Sequence, residues 1–496
     1  MKVILAGFNL DYETIREWGE ARPEVGNLTP ETVAAAYARI SRSPKPVQEL
    51  RAVARREVER ARQSNRSIVF EMGHSSIAEH AVFNIDVLGV SRLLVEEIEK
   101  FRLCSYTEKS QRYVLFGDDF TIPEEIRDSR LEKPYVGMIR EQYRFYRRLY
   151  ERLRPFIFER NADIGRDPAN RSTLEGWAKE DARYIIPLAT ETQLGMTVNA
   201  RNLELMLRRL AAHPLIEAKQ CSRRLYEAAK NVAPSLIRYT EATPYDLQTR
   251  AALREEVSQR TAGLESGESG RRKEDREPVK LIRATPGSDE RVLAALIHAS
   301  SNLPFSRCLR IARRMDGSEK ESLMKTALRN LSPHDAVLRE FEHADLVFEL
   351  VVSASCFAQL KRHRMATLTG QEYDPALGIT VPPAVAAVGL EGAFREIVAR
   401  TDDLHGDLKE TAPAAAAYIL TNAHRRRVAL KVNARELYHI ARLRADGYAQ
   451  WDIRETAVRM IERARKAMPL TLMLAAGKDA FAERYGRTFP GESSVS

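Results

Sequence analysis

The chain states one pattern twice. EHAVFNIDVLGVSRLLVEEIEKFRLCSYTEKSQRY at 79–113 returns as EHADLVFELVVSASCFAQLKRHRMATLTGQEY at 342–373, and VNARNLELMLRRL from Val198 returns as VNARELYHIARLR from Val432. His80 and His343 lie 263 residues apart, Arg102 and Arg364 lie 262 apart, and Asn199 and Asn433 lie 234 apart. The two copies are therefore in register, and the first carries about 28 additional residues somewhere in 114–197. Two related domains in tandem are the architecture such a chain predicts.

The copies frame a stretch of different character. Residues 249–280, running into AGLESGESGRRKEDREPVK, are charged and nearly free of apolar periodicity, which predicts a linker between domains at 1–248 and 281–496. The last residues, GESSVS, are expected to fray.

Composition narrows the class without choosing a function. A hydrophobic content of 44% with 30% charged residues is that of a globular chain, and no apolar run approaches the roughly 18–20 residues of a membrane span. The N-terminal MKVILAGFNLDYETIREWGE turns acidic too soon for a signal peptide, so a cytoplasmic protein is expected. Cys104, Cys221, Cys308 and Cys356 show no CxxC spacing and are expected to be reduced and buried. A formal charge of +9 suits either nucleic acid or a site holding several phosphates. No RGG tract, zinc-finger spacing or basic tail supports the nucleic-acid choice.

Each copy shows the same local plan. Phe83, Ile85 and Val87 alternate with Asn84 and Asp86, the period of a half-buried strand, and a helix is expected from Ser91 to about Leu103. Leu346–Val352 repeats the strand, and Ser353 opens a helix expected to carry Gln359, Arg362 and His363. Long arginine-rich segments at 134–155, 202–231 and 451–468 read as helices. The fold class is α+β, helix-rich, with one modest mixed sheet per copy.

Two clusters in the second copy resist a purely structural reading. On a helix, Gln359, Arg362 and His363 project to one side, although a basic cluster at a helix C-terminus also complements the helix dipole. Stepping about 100° per residue from Asn433 puts Leu437, Ile440 and Arg444 in one sector about 60° wide, so Arg444 falls on an apolar face. The first copy has Leu203, Met206 and Leu210 there, an unbroken apolar stripe. An arginine in that place needs an acidic side chain or an anionic ligand, unless its long stem carries the charge to solvent.

GHSSIAEHA from Gly73, TEKSQRY from Thr107, the paired VNAR segments, RHRMAT and RADGYAQWDIR together resemble the flavin-dependent thymidylate synthases, ThyX. The resemblance covers nearly all of 65–235 and much of 335–470. It implies a mixed sheet with long helices. The implied reaction moves a methylene from methylene-tetrahydrofolate to dUMP and reduces it with a hydride from FAD, which NADPH re-reduces. It also implies that no covalent cysteine is used, and that sites are shared between subunits of a homotetramer.

The same resemblance divides the site residues between the copies. In the second copy it assigns Arg362, His363 and Arg364 to flavin with Asn433, Arg435 and His439, Gln359 to the pyrimidine, and Arg444 to polarising the uracil ring. Where the family grips the nucleotide phosphate, this copy has Gly370, Glu372 and Asp374, and Ala417 replaces an expected arginine. The first copy keeps that grip as Glu108, Ser110, Arg112 and Arg183, with His74, Ser76, Glu79, Asn199 and Arg201 on the flavin side. It has Lys100, Phe101 and Arg102 for the triplet, Glu97 for the glutamine and Leu210 for the ring-polarising arginine.

The expectation is a composite site: Glu108, Ser110, Arg112 and Arg183 on the phosphate and sugar, with Gln359, Arg362 and Arg444 on the base and flavin. The chain would dimerise to imitate a tetramer, Arg444→Ala should cripple activity, and an arginine restored at Leu210 should change it little. No metal is expected. Two other readings stay open: a ThyX-like protein that still binds flavin or nucleotide but has left the reaction, and a nucleic-acid-binding protein that kept only the fold.

Overall fold

The structure is a computed structural model that describes residues 1–18, 28–262 and 277–491. The GESSVS tail from Glu492 onward and most of the AGLESGESGRRKEDREPVK stretch lie outside the described residues. In chain order the strands are β1 (Lys2–Phe8), β2 (Val82–Ser91), β3 (Ser105–Glu108), β4 (Glu191–Asn199), β5 (Val279–Ala284), β6 (Asp345–Ser353), β7 (Thr367–Tyr373) and β8 (Arg425–Asn433). The helices that position the site are α1 (Arg92–Ile98), α2 (Glu132–Arg160), α3 (Arg171–Ala182), α4 (Ala200–Ala211), α5 (Ile216–Ala229), α6 (Pro244–Thr261), α7 (Ala354–Leu360), α8 (Glu391–Thr411), α9 (Ala434–Arg444) and α10 (Trp451–Ala467).

Each copy builds one four-stranded antiparallel sheet, in the order β1-β2-β4-β3 and again β5-β6-β8-β7. The expected mixed sheets are thus antiparallel throughout. The alternation that marked β2 has its physical cause in burial: Phe83, Ile85 and Val87 are fully covered while Asn84 and Asp86 face water. A serine ends each central strand and caps the next helix, Ser91 accepting from Leu94 N and Ser353 from Cys356 N. An acid fixes each of these serines from a helix start. Ser91 Oγ donates to Glu217 at 2.6 Å, and Ser353 Oγ donates to Asp452 at 2.5 Å.

Several local expectations are corrected. The helix expected to reach Leu103 stops at Ile98, and α7 stops at Leu360, so Arg362 and His363 lie in the turn beyond it. The single helix expected over 202–231 is two, α4 and α5, parted around His213 and Pro214, where proline cannot continue the hydrogen-bond ladder. The first part of the expected linker is helical, because Thr243 and Asp246 form a capping box with Pro244 in the first turn of α6. The other two long helices are α2 and α10. All four cysteines are buried thiols outside any disulfide, and burial pushes the Cys221 thiol up to about 12.

The chain forms two compact units, but the division does not follow the repeat. One unit holds Met1–Ser269 together with Ala387–Leu420, and the other holds Gly270–Ala386 with Thr421–Ser496. In the first unit, α8 of the second copy packs on α2 of the first. Phe394 meets Phe145 edge to face at 6.2 Å, and Gln142 donates to Thr401 Oγ1 and to the Ile419 carbonyl at 3.0 and 3.1 Å. Leu188 N and Ala189 N bond to the carbonyls of Leu420 and Tyr418, and Tyr418 Oη donates to the buried Glu217. Phe394, Ile397, Val398, Leu404 and Leu408 form the covered face of α8. Each such side chain contributes about 1.5–3 kcal/mol by leaving water, which holds the crossing helix in place.

The additional residues of the first copy can now be located. α2 has 29 residues against 21 in α8, and α3 has no counterpart before Ala416–Ile419, the short helix equivalent to Arg183–Ile185. Glu175 of α3 ties it to α2 through Tyr150 and Arg154, at 2.5 and 2.7 Å.

Candidate functional site

In the second unit, the turn after α7 meets the last turn of α9. Asn433 caps α9 by accepting from Glu436 N at 2.8 Å, which fixes the helix start and with it the rotational position of every later residue. Arg444, the final helical residue, donates from Nε to His363 Nε2 at 3.0 Å and from Nη2 to the Gln359 carbonyl at 3.3 Å. On its other side, His363 Nδ1 lies 3.2 Å from Glu436 Oε1. A guanidinium Nε always carries its hydrogen, so His363 Nε2 must be the acceptor. The imidazole proton then sits on Nδ1 and is donated to Glu436.

Arg444 thus contacts a neutral imidazole and a backbone carbonyl, and His363 links the guanidinium to the Glu436 carboxylate. Burial lowers the His363 pKa, the Arg444 charge acts in the same direction, and together they outweigh Glu436. His439 meets His363 edge-on at 5.6 Å, and burial lowers its pKa too. His363, Glu436 and His439 place possible metal-ligand atoms within 4.8 Å of one another. With Nδ1–H given to Glu436 and Nε2 given to Arg444, His363 has no lone pair for a cation, and the adjacent Arg442 and Arg444 repel one.

A cavity of about 250 Å3 opens beside this chain of contacts, lined by Met365, Arg435, Glu436, His439, Arg442 and Lys478 among others. Arg435 is steadied by the Val337 carbonyl and by Glu342, at 2.9 and 3.0 Å. Gln359 donates to Gln450 Oε1 at 3.2 Å, Arg362 is half-buried and Arg364 is exposed. The lining sets three cations, Arg435, Arg442 and Lys478, against Asp335 and Glu436, and the apolar side chains of Val337, Leu474 and Phe481 complete it.

The same unit has rebuilt the place where the first copy keeps its grip. Arg426 lies between the rings of Phe357 and Tyr373, at 4.6 and 4.5 Å, and donates from Nε to the Gln371 carbonyl at 2.8 Å. A Cβ at Gly370 would come within 3.2 Å of that guanidinium, a tight approach, so glycine at the position equivalent to Glu108 leaves the arginine its room. Asp374 accepts from Ala376 N and caps a short helical turn.

In the first unit the grip is built from charges. Glu108 pairs with Arg92, and Arg112 Nε donates to Glu180 of α3. Ser110 Oγ accepts from Arg112 N at 3.1 Å, shaping the turn that presents the arginine. Arg183 is buried beside them. Burial depresses its pKa, the charges of Arg112 and Arg92 add to this, and Glu180 opposes it. Three arginines and two carboxylates thus share this region.

The remaining first-copy positions are accounted for locally. His74 and Ser76 are exposed around the short helix Ser75–His80, and Glu79 pairs with Arg201 at 2.5 Å, as Glu342 pairs with Arg435 in the other copy. Asn199 caps α4 as Asn433 caps α9, so both use their carbonyl oxygen on the backbone. Glu97 is held by His213 and Lys100. Burial opposes its ionisation, but these partners bring the carboxyl down to about 2.

Four participants escaped the sequence reading: Arg92, Glu180, Arg426 and Glu436. Their signal was the difference between copies, with Ala354 for Arg92, Thr192 for Arg426 and Asn202 for Glu436, while Glu180 lies on the helix that the second copy lacks.

The comparisons agree with a doubled domain. The family model described as "Thymidylate synthase complementing protein" matches residues 25–235 and 280–470. A UPF0159 protein of Thermoplasma acidophilum is 26% identical over 479 residues, covering 88% of this chain and 93% of the relative. A flavin-dependent thymidylate synthase of Clostridium tetani is 29% identical over 214 residues, covering 42% of this chain and 82% of its own length. The solved ThyX of Helicobacter pylori, complexed with FAD and dUMP, aligns over its whole length with 49% of this chain at 15% identity and a TM-score of 0.31.

Proposed function

The chain belongs to the thymidylate synthase complementing protein family, the ThyX family, and from that membership we propose that it is itself a flavin-dependent thymidylate synthase. The reaction is reductive methylation of dUMP to dTMP, with methylene-tetrahydrofolate and NADPH as co-substrates. The observation that carries this reading is Arg444, held at the end of α9 by the His363 imidazole and the Gln359 carbonyl.

Bound FAD supplies the hydride that reduces the transferred carbon. Arg435, His439, Arg442 and Lys478, with Arg362 and Arg364, are the residues of this chain that would hold it. The Arg444 guanidinium donates to a uracil carbonyl and stabilises the negative charge left when N3 loses its proton, a fixed charge that needs no reorganisation during the step. Gln359 orients the ring. Arg112 and Arg183, with Ser110 and Glu108, hold phosphate and sugar, each charged contact contributing about 1.5–3 kcal/mol. Each copy keeps one half of these contacts, so a working site draws on both, and the dimer would then carry half as many working sites as it has copies.

Two measurements on purified full-length protein test this: the flavin absorbance band with its perturbation by dUMP, and tritium release from [5-3H]dUMP with methylene-tetrahydrofolate and NADPH. A dUMP-sensitive flavin band with tritium release is the expected result, and a colourless protein that takes up no added FAD overturns it. One finding favours a second reading, a relative that binds flavin without turnover: Arg112 already bonds to Glu180, from a helix with no counterpart in the other copy. A flavin band without tritium release would select that reading.

A further inference from the structure

His363, Glu436 and Arg444 are one connected set in the second copy, and the first copy has replaced all three. Their equivalents are Phe101, Asn202 and Leu210. The replacement is coherent: an apolar ring and an apolar chain take the place of imidazole and guanidinium, and Leu210 is 2% exposed. The same fold therefore forms without these polar groups. Keeping a buried carboxylate and a buried imidazole carries a desolvation cost that the apolar pair avoids, so what the second copy retains is not needed for packing.

The geometry points to a positioning relay. We propose that Glu436 fixes the tautomer of His363, and that the Nε2 lone pair so exposed sets the orientation of the Arg444 guanidinium. This deepens the proposed function and rests on it only for the effect on catalysis. Without the carboxylate, Nδ1 has lost its acceptor and the proton can move to Nε2, where two N–H groups would face each other and push Arg444 away. Protonation of the ring has the same effect. The titratable and charged groups acting on His363 are Glu436, Arg444 and His439. Burial first, with Arg444 and His439 adding to it, disfavours the imidazolium against the pull of Glu436 and so favours a neutral, accepting ring.

The first test needs no activity. In protein labelled with [15N]histidine, nitrogen shifts report which ring nitrogen is protonated, and His363→Phe identifies the resonance. His363 should carry its proton on Nδ1 in the native protein and move it to Nε2 in Glu436→Leu, with Glu436→Gln keeping the native form. An Nε2–H ring or an imidazolium in the native protein at pH 7 would sink the relay, whatever the enzyme does. The second test is kinetic. His363→Phe should lower kcat about 100-fold while dUMP affinity stays within about threefold, the signature of a misplaced rather than a missing contact. His363→Gln, a permanent neutral acceptor, should recover much of the rate and flatten the acid limb of the pH profile. Full activity in His363→Phe alongside an inactive Arg444→Leu would overturn the relay and leave the thymidylate synthase reading intact.

Discussion

At equivalent places the two copies solve different problems with one backbone. Around Arg112 the first copy gathers Arg92, Arg183, Glu108 and Glu180, whereas the second holds Ala354, Ala417 and Gly370, lacks the helix that carries Glu180, and places Arg426 between two aromatic rings. Around Arg444 the second copy keeps imidazole, carboxylate and amide, while the first has an apolar stripe closed by Leu210. The sheets and their helix starts are the same, so neither set is a requirement of folding. What a duplicated domain loses on one side shows which polar groups the fold can do without, and thereby which ones the remaining side keeps for a ligand.

Exchanging residues between copies is the sharpest way to break this comparison. Arg444→Leu installs the first copy's residue, and turnover should fall about a thousandfold with the protein still folded, an effect of the size removal of one transition-state donor can have. The reverse change, Leu210→Arg, puts a charge at a buried position of the apolar stripe and should cost about 3–5 kcal/mol of stability. That revises the mild effect expected from sequence: a lost melting transition, rather than unchanged activity, is the measurement to make. Arg112→Ala should weaken dUMP binding about ten- to a hundredfold by calorimetry, while Asp374→Ala in the other copy should leave it unaltered.

Smaller effects sharpen the comparison further. Glu180→Gln removes the carboxylate competing for Arg112 and should tighten dUMP binding about three- to tenfold, since a nearby negative charge opposes a phosphate dianion. If binding weakens instead, Glu180 orients the arginine rather than masking it. The least conspicuous effect is in pH. His363 and His439 have pKa values below their ordinary 6.5 in the folded protein, so the unfolded chain takes up protons first as pH falls. Stability should therefore begin to decline below about pH 6.5 and stop declining once both rings are charged in the fold. Denaturant titrations of His363→Phe should show a shallower decline.

Much of the fold was legible because it rests on short-range rules. Alternation placed β2 and β6, the serine caps started α1 and α7, and the VNAR asparagines started α4 and α9. The ends were less legible: α7 stops three residues before His363, a matter of how the following turn packs. Of the candidate site, the residues that belong to the quoted motifs could be named in advance. Arg92, Glu180 and Glu436 were not, although the copies differ there, because each acts through a partner distant in sequence, 16, 68 and 73 residues away.

The sequence by itself determined the doubling, the family, the antiphase losses of polar residues and the span holding the additional segment, all of which are written in residue identity and spacing. Only the tertiary structure decided that α8 of the second copy lies in the compact unit of the first, that α3 brings a carboxylate to Arg112, and that a neutral histidine links Arg444 to Glu436. The physical reason is one of range. Periodicity and capping act over a few residues, whereas a tautomer or an ion pair depends on groups that only the packed chain brings within hydrogen-bond reach.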